Sequence, residues 1–478
     1  MFELRLLPDE ALIKFDQLLP VANWSYPISR ETELIEDRYR PYLVPADPAV
    51  LRRAIYIHIP FCQTICNFCP FHRDRYHSES EIPEYLSALF TEIELKRRYL
   101  GRPTVDAVFI GGGSPSLLSP SQIVSLGEII HRNFDVADGA EFTFEIEVKS
   151  ISREKSEAMR DIGVNRVSFG VQTFSEKYRA LFSLDASETQ IGDAAALLNS
   201  MFSYTNADLL YGFPGETHDQ LRRDLEAVMR LETTTIDAYP INNFAAQRSM
   251  HQRIVQADLD YLPATTRLQF RIYLDQLMHE HNFAPISGYS YARADKVGTQ
   301  GVIQHSPKFR YHDLLYGYDS DEVIGYGASA LSQVPRFNLY NFPSRQAYAR
   351  ELLINGALPH ASFGPIAAAE RGIVSFPYRG VLDKSKIAWS AVPDQTLTSL
   401  RETVSAGLAV DRGEEYQVTR LGWLFYVNLM YYLMPIVGKE WVSNKIEHQR
   451  LRGRTCGDPD LTKLIGSGSY ATVARSYQ

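Results

Sequence analysis

The sequence predicts a parallel α/β fold followed by a helix-rich second part, on three observations. Six short β-branched runs alternate with longer helix-patterned stretches between residues 53 and 242. Several of those stretches open on helix-start signals, such as "SPSQ" at 119–122 and "GETHDQ" at 215–220. Past about residue 300 the alternation stops and aromatic, helix-like segments follow. Strands separated by helices imply βαβ units and a parallel sheet.

The expected strands are "RAIYIHI" (53–59), "VDAVFIG" (105–111), "EFTFEIEV" (141–148), "RVSFGVQ" (166–172), "TNADLLYG" (205–212) and "TIDAYPIN" (235–242). The expected helices between and after them are 81–98, 119–134, 153–162, 188–201, 216–231 and 262–281. Right-handed crossovers allow an open doubly wound sheet or a barrel, and the period alone does not separate the two. Residues 1–50 are weakly periodic and read as an extension wrapped on the main domain, 51–300 as the core, and 301–478 as a mainly helical, substrate-covering domain. "ALSQVPRFNLYNFPSRQAYARELL" is assigned to that helical part. "GWLFYVNLMYYLMP" (422–435) is interrupted by Asn428 and reads as a buried helix, too short to span a membrane.

Bulk composition narrows the class. Hydrophobic residues at 45% and charged residues at 22% are the proportions of a soluble globular protein. A net charge of −8 gives no broad pull toward nucleic acid. "MFELRLLPDEALIKF" is broken by acids and lacks the layout of a signal peptide. Four cysteines in the chain make no disulfide framework, so a reducing, cytoplasmic setting is expected.

Three of those cysteines, Cys62, Cys66 and Cys69, sit in one loop behind the first strand with spacing C-x3-C-x2-C. Thiolates are soft ligands for zinc or iron–sulfur clusters. His72 completes a C-x3-C-x2-C-x2-H set, so zinc stays open on ligand count. A cluster held by three thiolates is the other reading, and it leaves one iron free for another ligand. Cys456, in "RTCGDP", reads as a bystander.

"YIHIPFCQTICNFC" resembles the opening of the radical S-adenosylmethionine (SAM) enzymes, and its "HIPFC" lead-in resembles their HemN-like branch, which contains oxygen-independent coproporphyrinogen oxidase. The resemblance covers roughly 53–245, and 300–435 more loosely. It implies a partial (β/α)6 barrel of the TIM type and a [4Fe–4S] cluster on the three cysteines. It also implies SAM on the open iron and reductive cleavage to a 5′-deoxyadenosyl radical. An electron donor such as flavodoxin or ferredoxin is implied as partner.

A parallel sheet delivers ligand-binding groups to the carboxyl ends of its strands. The cysteine loop follows the first strand, and "GGGSPS" (111–116) follows the second. On the resemblance, Gly112, Gly113 and Ser114 line the amino-acid end of SAM. Glu145 and Glu147 share one face of the third strand, and similar enzymes point to Glu145 as the SAM contact. Gln172 ends the fourth strand and Asp208 lies on the fifth; both are placed near SAM, while Tyr56 and Phe68 resemble positions that pack on the cluster and the adenine. Four strand ends converging on one rim favour the barrel. The family often carries an arginine for the SAM carboxylate where this chain has Leu184, and Arg179 stands close by in sequence.

Phe71 occupies the position where porphyrinogen decarboxylases usually have a fourth cysteine. This points within the branch to a class C methyltransferase or cyclopropane-forming enzyme, which uses two SAM molecules and an aromatic or conjugated substrate. The alternatives are a coproporphyrinogen dehydrogenase or haem-processing enzyme and, in another class, a non-catalytic cluster or haem carrier.

Overall fold

The computed structural model describes residues 3–7, 14–20, 26–27, 52–69, 71–78, 80–241, 248–296, 309–334, 336–366 and 368–451. Six parallel strands form its centre: β1 (Arg53–Ile59), β2 (Thr104–Gly112), β3 (Asp135–Ile146), β4 (Arg166–Gln172), β5 (Tyr204–Tyr211) and β6 (Thr235–Pro240). They pair in sequence order, each parallel to the next. Helices α1 (Glu81–Leu100), α2 (Pro120–Asn133), α3 (Arg153–Asp161), α4 (Glu176–Phe182), α5 (Glu188–Met201) and α6 (His218–Met229) make the crossovers. Ser119, Ser187 and Thr217 cap α2, α5 and α6 in reciprocal capping boxes with Gln122, Gln190 and Gln220, which fixes where each strand-to-helix loop ends.

The two faces of the sheet differ in chemistry, as the strand period of two requires. One face is aliphatic and aromatic (Ile55, Ile57, Val108, Ile110, Phe144, Val167 and Phe169) and belongs to the main hydrophobic core. The other face carries the site. Tyr56, Phe109, Thr143 and Arg166 are register partners across four strands. Glu145, Ser168, Asn206 and Thr235 form the next row. Asp208 pairs with Asp237 beyond it.

The sheet extends past the six strands at both edges. Antiparallel strands β7 (Phe283–Pro285) and β8 (Ser290–Arg293) continue from β6. On the other side β9 (Glu322–Tyr326) pairs parallel with β1, and β10 (Leu331–Val334), β11 (Arg336–Asn341) and β12 (His360–Ile366) follow antiparallel, giving a 12-stranded sheet. Residues 331–334 and 336–341, assigned to helix from sequence, are therefore strand: their backbone N–H and C=O groups are satisfied by ladder bonds in the sheet that continues from β9. The helix-rich layer begins at the helix Arg371–Arg379.

A short helix, α7 (Arg310–Leu315), lies against the polar face. Glu141 anchors it by accepting bonds from the backbone N–H groups of Arg310 (2.8 Å) and Tyr311 (3.3 Å). Tyr311 and Leu314 pack with Ala54, Ala107 and Phe109, closing the floor of the barrel. Asn428, which breaks the apolar run 422–435, is buried and ties down the N-terminal segment. Its Oδ1 accepts from Leu19 N (3.1 Å) and its Nδ2 donates to the Gln17 carbonyl (2.6 Å). Most of the expected N-terminal extension, and Cys456, lie outside the described residues. No helix among the described residues is long and apolar enough to cross a membrane.

Candidate active site at the cysteine loop

β1 ends at Ile59, and Phe61–Cys62 forms a two-residue strand beside Asp74–Arg75 that folds the cysteine loop back on itself. The glycine loop after β2 is bound directly to it. Gly113 N donates to the Ile59 carbonyl and Ser114 N to the Phe61 carbonyl, both at 2.7 Å. The Ser114 hydroxyl lies 3.7 Å from Cys62 Sγ. Gly112 has φ +120° and a Cβ there would meet His58 Nδ1 at 2.7 Å, so this position demands glycine on two counts.

Cys62 is buried, Cys66 and Cys69 are half-buried, and none of the three is in a disulfide. Burial, with repulsion from the neighbouring cysteines, pushes the Cys66 thiol up to about 12 and Cys62 to about 11; burial also raises Cys69. Arg73 is the cation facing all three, while its Nη groups donate to the carbonyls of Phe71 (2.6 Å) and Cys66 (3.0 Å). Three crowded thiols become thiolates only when a positively charged centre compensates them, and a metal cluster is such a centre. Three soft thiol donors in one loop fit an iron–sulfur cluster by their chemistry.

Glu145 lies deeper. Its Oε2 accepts from Gly112 N (2.9 Å), and a Cβ on Gly111 would stand 2.4 Å from it. Burial raises its carboxyl to about 7 against the pull of Gly112 and Arg166. The Tyr56 ring lies 6.0 Å from both Phe109 and Tyr311, which are 4.5 Å from each other, and its hydroxyl sits 2.9 Å from His58 Nδ1. His58 Nε2 faces the His72 carbonyl at 3.0 Å and must donate, so Nδ1 accepts from Tyr56. Burial lowers His58 to about 4, and the imidazole is neutral.

Asp208 accepts from Asn206 Nδ2 (2.7 Å) and Ser168 Oγ (3.3 Å). Burial and the facing Asp237 raise its carboxyl well above the usual range, with Arg166 opposing. Gln172 adopts φ +69° at a register shift in β4, and its amide folds over Gly170, where a Cβ would meet Nε2 at 2.4 Å. Phe68 packs edge-on against Phe182 at 5.9 Å, in an apolar cluster with Tyr178 and Leu184. The structure thus joins Cys62 to Ser114, Gly112 to Glu145, and Asp208 to the same polar wall, while Phe68 faces α4. Arg179 is committed elsewhere, to the carbonyls of Val171 (3.2 Å), Thr173 (2.8 Å) and Ala186.

Two charged groups of this wall were not singled out from the sequence, Arg166 and Asp237, while Glu147 was weighed and passed over for Glu145. Arg166 and Asp237 carry the parity of Ser168 and Tyr239 on buried strands, which was the available signal.

The radical SAM superfamily model matches residues 56–228. The heme chaperone HemW of Bacillus subtilis is 28% identical over 290 residues, covering 58% of this chain and 70% of the relative. The oxygen-independent coproporphyrinogen III oxidase of Bradyrhizobium diazoefficiens is 29% identical over 311 residues, covering 64% of this chain and 68% of the relative. The solved structure of coproporphyrinogen III oxidase (HemN) from Escherichia coli, described as a radical SAM enzyme, superposes with a TM-score of 0.71 at 22% identity, over 86% of this chain and 96% of that one. At that identity the superposition speaks for the fold: the α/β architecture around a large parallel sheet expected from sequence is the one observed. With the cysteine loop, the glycine loop and the parallel strands in place, the chain carries a radical SAM domain over residues 56–228 and is similar in sequence to HemN and HemW proteins; the cofactors of radical SAM proteins are a [4Fe–4S] cluster and SAM.

Proposed function

We propose that this radical SAM enzyme acts on an sp² carbon of a flat, conjugated substrate, by methylation or cyclopropanation with a carbon from a second SAM. When bound, the cluster and SAM supply the 5′-deoxyadenosyl radical, and an electron donor such as flavodoxin or ferredoxin reduces the cluster. The observation that carries the reading is the acid excess on the barrel wall. Among the described residues of that wall, the buried carboxyls of Glu145, Asp208 and Asp237 face one guanidinium, Arg166. A buried, acid-rich wall suits cationic ligands, and SAM is a sulfonium cation.

In this reading Cys62, Cys66 and Cys69 hold three irons. Gly112, Gly113 and Ser114 bring backbone groups against the amino-acid end of SAM. Glu145, Gln172 and Asp208 hold its polar groups, and Tyr56 and Phe68 pack against the cofactors. A tyrosine wall stands beside Asp237: Tyr239 and Tyr289 lie 4.3 Å apart, Tyr289 and Tyr378 5.3 Å, Tyr378 and Tyr316 4.0 Å. Such a wall offers stacking faces to a planar substrate and, with α7, excludes water from the reacting carbon.

The relatives favour a second reading, a coproporphyrinogen dehydrogenase that decarboxylates its substrate, since one group of them is named as oxygen-independent coproporphyrinogen III oxidases. Anaerobic reconstitution followed by turnover with SAM deuterated in its methyl group separates the two. Methylation or cyclopropanation carries deuterium into product; decarboxylation leaves it in SAM and releases carbon dioxide from coproporphyrinogen. Formation of no 5′-deoxyadenosine by the cluster-loaded protein would sink both and leave haem carriage, the role in the name of the HemW relatives. Alanine at Cys62, Cys66 or Cys69 should remove the brown chromophore and SAM cleavage together.

A further inference from the structure

The tyrosine wall runs from Asp237 to a cavity lined by Ser287, Phe309, His312, Asp313, Tyr378 and Arg379. The Tyr239 hydroxyl donates to Asp237 Oδ2 (3.1 Å), and ring steps of 4.3 Å to Tyr289 and 5.3 Å to Tyr378 reach the lining. The cavity adjoins the polar wall of the barrel: Arg166 stands over the Phe309 ring at 4.2 Å, and that ring lies 3.9 Å from His312. His312 Nδ1 sits 2.8 Å from the Tyr378 hydroxyl, and burial with the nearby Arg166 keeps its imidazole neutral. The charge in the cavity therefore comes from Arg379 and Asp313. Arg379 is the last residue of the helix Arg371–Arg379, and its guanidinium lies over the Tyr318 ring at 4.3 Å. Its Nε and Nη2 are buried and meet no hydrogen-bond partner among the described residues, although Asp313 lines the same cavity.

Nε and Nη2 form one edge of a guanidinium, the edge that meets both oxygens of a carboxylate. Arg52 uses that edge on Asp321, Nε donating to Oδ1 (2.8 Å) and Nη2 to Oδ2 (2.5 Å). Other buried arginines nearby are committed to backbone carbonyls: Arg371 to those of Tyr318, Asp321, Leu314 and Leu315, and Arg271 to those of Leu424, Trp423 and Gly288. Buried donors left unmade are costly, so a paired edge that stays free beside a cavity points to a ligand. We propose that Arg379 is the receptor for one carboxylate of the substrate, whose flat ring system lies along Tyr378 and Tyr289 toward Asp237. This rests on the reading of a flat, conjugated substrate and names its class, an aromatic carboxylic acid. The acids Glu145, Asp208 and Asp237 disfavour an anion at the barrel wall, which sets the direction of binding: ring toward the wall, carboxylate toward Arg379. Asp313 opposes an anion in the cavity, so the two-bond fit to Arg379 becomes the condition for binding.

The test is equilibrium dialysis of anaerobically reconstituted full-length protein in the presence of SAM, with 2-naphthoate, 2-naphthamide and acetate as probes. Wild type should retain 2-naphthoate with a Kd below about 1 mM. Arg379→Met should raise that Kd by about tenfold or more, as loss of a two-bond charged pair does, and leave the Kd for 2-naphthamide unchanged. Arg379→Lys should recover only part of the affinity, because an ammonium lacks the planar fork. Acetate should bind at least about tenfold more weakly than 2-naphthoate, since it has no ring for the tyrosines to hold. Urea unfolding and iron content report that each variant is folded and holds its cluster. Equal 2-naphthoate affinity in wild type and Arg379→Met, equal loss of acid and amide in that variant, or no retention of 2-naphthoate by wild type overturns the receptor. Equal affinity for acetate and 2-naphthoate overturns the placement of the ring on the tyrosine wall. Formation of 5′-deoxyadenosine by the same preparations reports on the radical reaction separately: its absence, with 2-naphthoate still held through Arg379, sinks the proposed reaction and leaves the carboxylate receptor standing.

Discussion

Gly113 offers a direct way to break the contact between the glycine loop and the cysteine loop. A Cβ at that position would lie 2.6 Å from the Phe61 carbonyl oxygen, 2.8 Å from the Pro60 carbonyl carbon and 2.9 Å from that of Phe61. All three are backbone atoms directly preceding Cys62, so no flexible side chain can swing aside. Reaching an ordinary contact of 3.4 Å needs a displacement of about 0.8 Å (3.4 − 2.6). That displacement strains the bonds from Gly113 N to Ile59 and Ser114 N to Phe61, and the neighbouring ones from Tyr76 N to Cys62 and Asp74 N to Pro60. Overpacking costs about 1–3 kcal/mol, and losing two of these bonds about 1 kcal/mol each. Gly113→Ala should therefore destabilise by about 3–5 kcal/mol and lower the iron retained after reconstitution, because Cys62 moves with the strand. The assay is urea unfolding of the apo protein, paired with iron and sulfide analysis of the reconstituted one. Gly192→Ala is the control: it lies within α5, a Cβ there meets nothing within 4 Å, and the change should stabilise by about 0.5–1 kcal/mol. A Gly113→Ala protein within about 0.5 kcal/mol of wild type and carrying full iron would refute the reasoning.

Two further predictions concern groups away from the cysteines. Glu216 accepts from Gly212 N (2.6 Å) and Phe213 N (3.0 Å) in the loop after β5, and burial raises its carboxyl from 4.5 to about 8. A raised carboxyl stabilises fully below its unfolded value, and that contribution is lost as pH rises through about 8. Glu216→Gln does not titrate, so its stability relative to wild type should rise between pH 5 and pH 9 by at most about 4–5 kcal/mol; a gap constant with pH in paired urea melts would refute this. Glu92 is fully buried and takes bonds from Lys96 (2.6 Å), Tyr348 (2.6 Å), Gly327 N (2.8 Å) and Asn341 (2.9 Å), joining α1 to the strands beyond β1. Glu92→Ala should cost about 3–5 kcal/mol by stranding the Lys96 ammonium, and the Glu92→Ala/Lys96→Met double variant should cost less than the sum of the singles. Strict additivity in a double-mutant cycle would refute the coupling.

How much of this fold could be read from the sequence depended on how each strand is buried. β1 and β4 match their expected limits, because both faces are packed and both ends are marked by polar or proline-containing loops. β3 begins at Asp135, six residues before the expected 141. Its first part, "DVADGA", is polar and contains Gly139, and it pairs with β2 only through Thr104 and Val105 before the register shifts. β9 was invisible for the opposite reason: "EVIGY" is buried at every position and has no alternation to read. Its pairing with β1 is a contact across more than 250 positions, which local pattern does not carry.

The candidate site shows the same division between face and depth. Alternation places Glu145 and Glu147 on one face, and it says nothing about how far along the barrel axis each one lies. The strand ends at Ile146, and that single boundary gives the two carboxylates different surroundings. Glu145 remains inside, held by Gly112 N and facing Arg166, where it supports the glycine loop from below. Glu147 emerges beside Cys62, Ser114 and Lys149, with one oxygen unpartnered. Two residues of identical chemistry, one pleat apart, thus meet different partners. A carboxylate held by a backbone amide is fixed inside the barrel, and one just past the strand end meets the cysteine loop instead, so the boundary of a strand decides what each glutamate touches.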